Sequence, residues 1–228
     1  MKKKILERGN KSYSDASDRD SICYDDKKAY KILKRILDLV LSIVGIVICI
    51  VPAAIIAMII RIDSPGPVIF VHNRIGKGGK NLPLLKFRTM YRNSDDMIDD
   101  FTPEQKEEWE ENFKLDDDPR VTKVGYFLRK SSLDELPQLI NILMGDLAIV
   151  GPRPIVKEEL EKYGEDKEKL LSVTPGLTGY WQAYARNDCT YEQRMEMELH
   201  YVENANLWWD IKIIFATFGA VLRGRGAK

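Results

Sequence analysis

The chain has 228 residues, of which 44% are hydrophobic and 31% charged, ordinary values for a globular protein long enough to bury a core. Its formal net charge is zero, but residues 1–35 hold eleven basic against six acidic residues, and residues 95–118 hold twelve acidic residues against two lysines. The three cysteines, Cys23, Cys49 and Cys189, form no CxxC pair, so neither a disulfide framework nor a zinc site is indicated. A basic segment before an apolar run favours an anionic membrane surface as partner over nucleic acid.

The N-terminal part of the sequence changes from polar to apolar. Residues 1–26 are polar and show no hydrophobic period, which predicts a flexible lead. Residues 39–60 form a run of 22 residues without a charge. As a straight helix this run measures about 33 Å, which matches the hydrocarbon core of a bilayer, about 30 Å thick. Its length therefore predicts a membrane-spanning helix.

Two features of the same run favour a helix that enters the membrane and returns. Pro52 lacks a backbone N–H and crowds the carbonyl of Ile48, so a break or kink is expected there. Lysines and arginines lie on both sides of the run, and the positive-inside rule places both sides in the cytoplasm. A straight span satisfies one basic flank, whereas a re-entrant helix satisfies both. The residues alone leave both topologies open.

The rest of the chain predicts a small β-hairpin followed by helices. The hairpin is predicted from "VIFVHNRIG" and "NLPLLKFRTM", which flank the glycine turn "KGGK". A helix is predicted after Thr102, where Gln105 completes a capping box. Two more helices are predicted over "SSLDELPQLINILMG", which Gly145 ends, and over "TYEQRMEMELHYVEN". The pattern indicates an α+β fold that is mainly helical.

The C-terminal segment "NLWWDIKIIFATFGAVLRGRG" holds an apolar stretch of ten residues, which is too short to span a bilayer. It predicts an amphipathic helix in the membrane interface, with Trp208 and Trp209 at headgroup depth. An ordinary helix that packs on the protein core is the alternative.

Asp134 and Glu135 are adjacent carboxylates and are candidates for chemistry. Such a pair can divide its work, one acid as nucleophile or metal ligand and the other as ligand or proton acceptor. The structural alternative is a capping box between Ser132 and Glu135. Pro137 argues against this capping box. With Ser132 as cap, the proline falls at the fifth helical position, where the backbone N–H should donate a hydrogen bond. With Asp134 as cap, the proline falls in the tolerated first turn.

Several basic residues lie in or beside turns, strand ends or proline-framed loops: Arg74, Lys86, Arg88, Arg129, Arg153 and Arg186. Guanidinium groups held by short rigid segments are suited to clamp phosphates. In "GPRP", Pro152 and Pro154 fix the backbone around Arg153. The acid pair, the cations and the membrane segment together suggest magnesium-dependent phosphoryl chemistry on a lipid-linked substrate. His72 and His200 have no partner spacing and are interpreted as structural.

A succession of longer segments runs in order from about Lys34 to Gly226: "KRILDLVLSIVGIVICIVP", "GPVIFVHNRIGKGGK", "LLKFRTM", "DPRVTKVGYFLRKSSLDELPQLINILMGDLAIVGPRP", "VTPGLTGYWQAYARN" and "YVENANLWWDIKIIFATFGAVLRGRG". This succession resembles the small monotopic phosphoglycosyl transferases, the bacterial sugar transferase family. The most specific part of the resemblance is "LDELPQL" followed by "GPRP" at this distance.

The resemblance implies an enzyme on the cytosolic face of the bacterial cytoplasmic membrane that initiates surface-glycan synthesis. It would transfer a sugar phosphate from a UDP-sugar to undecaprenyl phosphate and release UMP. By its position Asp134 would be the nucleophile that forms a covalent phosphosugar intermediate. Glu135 would be its partner, which assists Mg²⁺ and deprotonates the acceptor, and both acids would be metal ligands.

The resemblance also implies roles for basic residues. Arg129 would contact phosphate, and Arg153 with the flanking Pro152 and Pro154 would recognise the uridine nucleotide. The further substrate-binding residues predicted are Arg74, Lys86, Arg88, Gln182 and Arg186.

The membrane element of the family is a re-entrant helix broken at a Ser-Pro pair, where this sequence has Val51 and Pro52 as the hinge. The predicted division is a flexible lead (1–26), a basic lead with the re-entrant helix (27–62) and a cytosolic catalytic domain (63–228). Expected partners are the two substrates, the membrane, downstream glycosyltransferases and a second copy of the chain. A silent membrane scaffold and a soluble metal-dependent phosphohydrolase are the alternatives.

Overall fold

The computed structural model describes residues 3–112, 115, 117–185 and 189–222. The fold is α+β and mainly helical, as predicted. The helices are α1 (Lys3–Asp63), α2 (Pro103–Asn112), α3 (Lys123–Ser131), α4 (Gln138–Met144), α5 (Lys157–Glu161), α6 (Lys167–Leu171), α7 (Tyr180–Tyr184), α8 (Tyr191–Asn204) and α9 (Leu207–Leu222). The strands are β1 (Ile69–Ile75), antiparallel to β2 (Asn81–Phe87), and β3 (Ala148–Val150), parallel to β4 (Gly176–Thr178).

Helix α1 carries the apolar run and begins at Lys3, although the polar lead of the sequence predicts no regular structure there. It continues through Pro52, so the predicted separation into two helices at this proline is not seen. Within the described residues, Lys27–Asp63 is the one stretch long and apolar enough to cross a membrane, and 6% of its most apolar window is buried. Val47 and Ile48, near the middle of the run, are both 68% exposed.

A buried polar network fixes the start of the apolar run to the rest of the protein. Asp210 of α9 is fully buried and accepts hydrogen bonds from Lys34 Nζ (2.9 Å) and Tyr30 Oη (2.9 Å) of α1. Tyr201 Oη of α8 donates a third bond to the same carboxylate at 2.6 Å. Lys34 Nζ also donates to the backbone oxygen of Val150 at 2.8 Å. A charge this deeply buried requires such partners.

The other end of the run packs on the hairpin and on α3. Ile56 and Ile60 of α1 form a buried cluster with Phe87 of β2 and Leu128 of α3. Burial of side chains of this size stabilises a fold by about 1.5–3 kcal/mol each. Both ends of the apolar run are therefore attached to the same folded domain.

The predicted hairpin is confirmed. Strands β1 and β2 pair from Ile69 opposite Phe87 to Ile75 opposite Asn81. The chain reverses through a short 3₁₀ turn, Lys77–Gly79, in which both glycines have a positive φ, 67° at Gly78 and 77° at Gly79. Glycine adopts this left-handed conformation without steric cost, which explains the local sequence.

The segment around the acid pair differs from the prediction of one helix. Helix α3 ends at Ser132, which is left-handed (φ 58°) and makes no side-chain cap. Leu133–Glu135 form a 3₁₀ turn, and α4 begins only after Pro137. The structural alternative to catalysis, a side-chain cap at Ser132 or Asp134, is therefore not seen, whereas the predicted end at Gly145 (φ 95°) is confirmed. The acid pair lies on a tight turn between two helices and has no capping role.

The parallel pair of strands β3 and β4 was not predicted from the sequence. Its "GPRP" and "TPGLTG" segments approach so closely that three glycines are needed. A Cβ at Gly151 would lie 2.6 Å from the oxygen of Thr174, and one at Gly176 would lie 2.1 Å from the nitrogen of Gly151. A Cβ at Gly179 would lie 2.3 Å from the oxygen of Gly151. This contact holds the loop that carries Arg153.

The predicted cap of α2 is confirmed, because Thr102 N donates to Gln105 Oε1 (3.0 Å) and Gln105 N to Thr102 Oγ1 (3.2 Å). The predicted helix α8 is also present and begins with the same reciprocal pair, made by Thr190 and Gln193. Both starts follow from local sequence alone.

Helix α9 has one buried and one exposed face. Ile213 is fully buried, while Trp208, Phe215 and Phe218 are exposed by 65%, 72% and 64%. The two tryptophans therefore differ: Trp209 packs its ring edge-on against Tyr180, with centroids 5.0 Å apart. Its predicted place at headgroup depth is not supported by this packing.

Candidate active site

The acid pair meets a lysine of the hairpin. Lys86 Nζ of β2 donates to Glu135 Oε1 at 2.7 Å and lies 3.9 Å from Asp134 Oδ2. Asp134 is 8% exposed, whereas the side chain of Glu135 is 36% exposed. One acid is therefore buried and the other partly exposed to solvent, a difference that would allow them to take different tasks.

The environment of Asp134 changes its acidity. Burial raises the pKa of this carboxyl from 3.8 to about 6, and the neighbouring charge of Glu135 acts in the same direction. Lys86 and Arg129 oppose the increase in the pKa but do not cancel it. The ionised form is thus poorly solvated and still available near neutral pH, a condition that suits a nucleophile.

Arg129, in the last turn of α3, lies beside the acid pair. Its Nε donates to Thr89 Oγ1 at 2.9 Å. Burial lowers the pKa of Arg129, and the charges of Asp134 and Asp118 oppose this change only in part. Among the residues that the structure describes, its two Nη groups make no hydrogen bond. Helix α3 can reach this position because Gly125 has no Cβ. A Cβ there would lie 1.9 Å from the backbone oxygen of Thr89. Only glycine permits this approach.

Asp118 and Arg120 form a rigid ion pair behind Arg129, which the sequence analysis missed. Arg120 Nε and Nη2 donate to the two oxygens of Asp118 at 2.8 and 2.7 Å. Burial raises the pKa of Asp118, but the hydrogen bonds and charge of Arg120 outweigh it, and the pKa is lowered. The "DPR" sequence therefore keeps a negative charge near Arg129.

One face of the hairpin carries the cations toward the acids. Lys86 of β2 pairs opposite Phe70 of β1, so the two side chains lie on the same face of the hairpin. Residues two apart on a strand also share a face, which places His72 and Arg74 of β1 on the face of Lys86. Arg74 Nη2 lies 3.5 Å from His72 Nδ1. Burial, with the charges of Arg74, Lys86 and Arg153, lowers the pKa of His72 to about 4. His72, interpreted from sequence as structural, is thus a neutral imidazole inside the cation cluster.

Three arginines meet beyond His72. Ile75 N donates to the oxygen of Ile155 at 2.8 Å, and this bridge brings Arg74 close to Arg153 of the "GPRP" loop. The charge of Arg153 accordingly lowers the pKa of Arg74, after burial, which is the larger cause. Arg194 of α8 joins them, although the sequence analysis did not select it.

Glu159 lies between two of these arginines. Its Oε2 is 3.5 Å from Arg74 Nη1 and its Oε1 is 3.8 Å from Arg194 Nη1. Four buried guanidinium nitrogens in the cluster have no hydrogen-bond partner: Arg74 Nε, Arg153 Nε, Arg194 Nε and Arg194 Nη2. Buried donors of this kind indicate a site for an anion.

The structure does not bring every predicted residue to this site. Arg88 donates to the backbone oxygens of Pro65 (2.7 Å) and Ser64 (2.8 Å), so it braces the connection between α1 and β1. These contacts do not support substrate binding by Arg88, which stays a prediction.

The other predicted residues lie as follows. Pro152 and Pro154 are buried on either side of Arg153. Gln182 is half-buried in α7, and Arg186 lies outside the described residues. Their substrate-binding roles stay predictions.

Magnesium stays an expectation for the acid pair, and the two carboxylates are compatible with it. Within the described part of the chain, no group of three or more His, Cys, Asp or Glu side chains could hold a metal. Mg²⁺ is commonly bound by one or two carboxylates together with substrate phosphates. Asp134 and Glu135 offer two carboxylates in that arrangement.

The fold and the site define a mainly helical protein in which an acid pair and clustered arginines lie beside a helix of membrane length. The sequence profile of the family described as bacterial sugar transferase matches residues 29–224. The chain belongs to this family, and the resemblance noted from the motifs is confirmed.

Three relatives illustrate the match. The chain is 46% identical over 204 residues to the undecaprenyl-phosphate galactose phosphotransferase of Salmonella typhimurium, which covers 88% of this chain and 43% of that protein. It is 44% identical over 200 residues to the exopolysaccharide production protein ExoY of Sinorhizobium fredii, covering 86% and 88%. It is 38% identical over 196 residues to the UDP-glucose:undecaprenyl-phosphate glucose-1-phosphate transferase of Escherichia coli, covering 82% and 39%. The chain thus spans less than half the length of the first and third relatives.

Proposed function

We propose that this protein transfers a sugar 1-phosphate from a UDP-sugar to undecaprenyl phosphate and releases UMP, as the initiating step of a bacterial surface glycan. The relatives named for undecaprenyl phosphate and for UDP-glucose support this assignment. The observation that carries it is the buried carboxyl of Asp134, whose pKa is raised to about 6 between Lys86 and Arg129. A nucleophile and two cations are what transfer between anionic phosphates requires.

The reaction proceeds in two displacements. An Asp134 Oδ atom forms a bond to the phosphorus that bears the sugar, the bond from this phosphorus to the UMP oxygen breaks, and UMP leaves with the electron pair. An oxygen of undecaprenyl phosphate then attacks the same phosphorus and the Oδ–P bond breaks, which restores the carboxylate. Glu135, the more exposed acid, accepts the proton of the acceptor phosphate.

The cations have separate tasks. Lys86 Nζ reaches both acids and balances charge as the phosphorus approaches Asp134. Arg129 presents its Nη groups to the transferred phosphate. Magnesium held by Asp134 and Glu135 would supply further neutralisation of the substrate phosphates.

We further propose that α1 enters the bilayer and returns through a bend at Pro52 that leaves the helix continuous, and that the folded domain lies on the cytosolic face. Lys34 before the apolar run bonds Asp210 at 2.9 Å, and Ile60 at its other end packs on Phe87, so both ends contact one charged domain. A domain of this kind lies on one side of a bilayer, while the exposed apolar middle enters the lipid. A cysteine introduced at Ala29 is expected to react with an impermeant maleimide from the cytosolic side. Reaction from the outside alone would establish a full span instead.

The function is tested by UMP release from a UDP-sugar with undecaprenyl phosphate and magnesium. The wild-type protein is expected to release UMP and Asp134→Asn is not, while Asp100→Asn, at an exposed acid, behaves as wild type. Equal UMP release by wild type and Asp134→Asn would refute the assignment of the nucleophile. No release by wild type with any UDP-sugar of a panel would favour a silent scaffold.

A further inference from the structure

Glu198 of α8 is a fully enclosed carboxylate, 1% exposed, at the back of the arginine cluster. We propose that Glu198 is a positioning residue that holds Arg153 and Arg194 in place for the phosphate of the UMP moiety. This inference rests on the proposed function and assigns a task to two residues, Glu198 and Arg194, that the sequence analysis did not select.

Four groups from four different parts of the fold converge on this carboxylate. Trp181 Nε1 of α7 donates to Oε1 at 2.8 Å, and the backbone N–H of Arg153 donates to the same oxygen at 3.2 Å. Tyr163 Oη, just after α5, donates to Oε2. Arg194 Nε lies 3.6 Å from Oε1. A buried carboxylate with this set of partners fixes the relative positions of all four.

Tyr163 stays a donor over the ordinary pH range. Burial and the charge of Glu198 together raise the pKa of its hydroxyl far above the ordinary value. Tyr163 therefore keeps the proton that it donates to Glu198.

The guanidinium group of Arg194 is held in place by two aromatic rings and two carboxylates. It lies 4.7 Å from the ring centroid of Trp181 and 5.3 Å from that of Tyr191. Glu198 Oε1 lies 3.6 Å from Arg194 Nε, and Glu159 Oε1 lies 3.8 Å from Arg194 Nη1. Arg194 Nη2 is buried and has no hydrogen-bond partner. A preorganised guanidinium with an unused donor is suited to a phosphate oxygen.

The position of the cluster selects the phosphate that it binds. In the proposed reaction Asp134, Lys86 and Arg129 take the phosphate that bears the sugar. Lys86 pairs opposite Phe70 of β1, and on the same face of this strand His72 and then Arg74 follow, away from the acids. Arg74 shares Glu159 with Arg194, so the arginine cluster lies one step further along the hairpin than Lys86. The two phosphates of a nucleoside diphosphate sugar are adjacent, so the second phosphate, which leaves as part of UMP, falls to the arginine cluster.

The experiment compares Glu198→Gln with Glu196→Gln, an exposed acid on the same helix. The full chain in detergent is titrated with UMP by calorimetry, and its melting temperature is measured without nucleotide. Glutamine keeps an oxygen for Trp181 but loses the charge opposite Arg194. We expect the affinity for UMP to fall by about tenfold in Glu198→Gln and to stay at the wild-type value in Glu196→Gln.

A kinetic comparison separates positioning from general support of the fold. The KM for the UDP-sugar is expected to rise in Glu198→Gln, while transfer from a preformed covalent intermediate to undecaprenyl phosphate keeps the wild-type rate. UMP affinity within twofold of wild type in a folded Glu198→Gln overturns the proposal.

Should Glu198→Gln fail to fold, Arg194→Met keeps the apolar stem between Trp181 and Tyr191 and removes the charge. It is expected to show the same loss of UMP affinity, and unchanged affinity overturns the proposal. A wild-type enzyme that transfers sugar phosphate while the variants keep full UMP affinity refutes the positioning role alone. A wild type that neither binds UMP nor transfers sugar phosphate refutes the proposed function.

Discussion

Replacement of Asp134 by asparagine is expected to stabilise the folded protein at neutral pH while it abolishes transfer. In the wild type, burial raises the pKa of this carboxyl from 3.8 to about 6. A change of one in the pKa corresponds to a change of about 1.36 kcal/mol in the free-energy difference between the protonated and the ionised carboxyl. The folded state therefore disfavours the ionised carboxyl by about 3 kcal/mol, a sizeable fraction of the stability of a typical domain, about 5–15 kcal/mol.

The sign follows from the two pKa values. Below 3.8 both the folded and the unfolded chain hold the proton, and the carboxyl costs no stability. Between 3.8 and about 6 the unfolded chain releases its proton first, so the free energy of unfolding falls as pH rises. Above about 6 the loss is complete. Asparagine carries no charge at any pH and avoids this loss.

The measurement is urea unfolding of the detergent-solubilised chain in magnesium-free buffer at several pH values between 4 and 8. The free energy of unfolding of Asp134→Asn minus that of wild type is expected to grow through the acid range and to reach about 3 kcal/mol above pH 6. Asp100→Asn, at an exposed acid, serves as the control and should show no such growth. A difference that does not vary with pH, or a variant less stable than wild type at pH 7.5, would show that burial of the ionised Asp134 carboxyl does not destabilise the fold.

Three further predictions follow from single contacts. Lys86→Met removes a charge that lowers the pKa of the nucleophile, so the acid limb of the pH profile of UMP release should move to higher pH; an unmoved limb contradicts this. Gly125→Ala places a Cβ 1.9 Å from a backbone oxygen and should lower the free energy of unfolding by about 2 kcal/mol, whereas Gly219→Ala, with nothing within 4 Å, should not. Asp210→Asn leaves the ammonium of Lys34 without its carboxylate at 2.9 Å and should cost about 3 kcal/mol in urea unfolding; wild-type stability would show that the pair contributes little.

Much of the fold follows from local sequence, because its signals are local. The glycine turn at Gly78 and Gly79 requires a positive φ, and the sequence analysis placed the hairpin there correctly. The cap at Thr102 and the helix end at Gly145 rest on contacts within a few residues. Where neighbours along the chain decide the conformation, the sequence predicts it.

The segment around the acids shows where this fails. Ser132 and Glu135 have the spacing of a capping box, but Glu135 instead bonds Lys86, 49 residues away in the chain. Spacing cannot reveal this competing partner, which the hairpin supplies only after folding. The same limit hid Glu198 and Arg194, whose separation of four residues on a helix is typical of a solvated ion pair. Their burial depends on packing against α7.

The family assignment, by contrast, followed from the order of the motifs, and the family profile over residues 29–224 confirms it. Asp134 and Glu135 were selected first as adjacent carboxylates and then by the resemblance, and their catalytic roles stay predictions. In the structure one is buried beside Lys86 and the other is more accessible.

The proposed mechanism requires a covalent phosphosugar intermediate on Asp134, which intact-protein mass spectrometry can detect. The protein is incubated with a UDP-sugar and magnesium in the absence of undecaprenyl phosphate and then analysed before and after the acceptor is added. The wild type is expected to gain the mass of one sugar phosphate and to lose it when undecaprenyl phosphate is supplied, while Asp134→Asn gains none. An adduct that forms equally on Asp134→Asn would exclude Asp134 as the nucleophile. A wild type that turns over under rapid quench without any adduct would exclude the covalent intermediate.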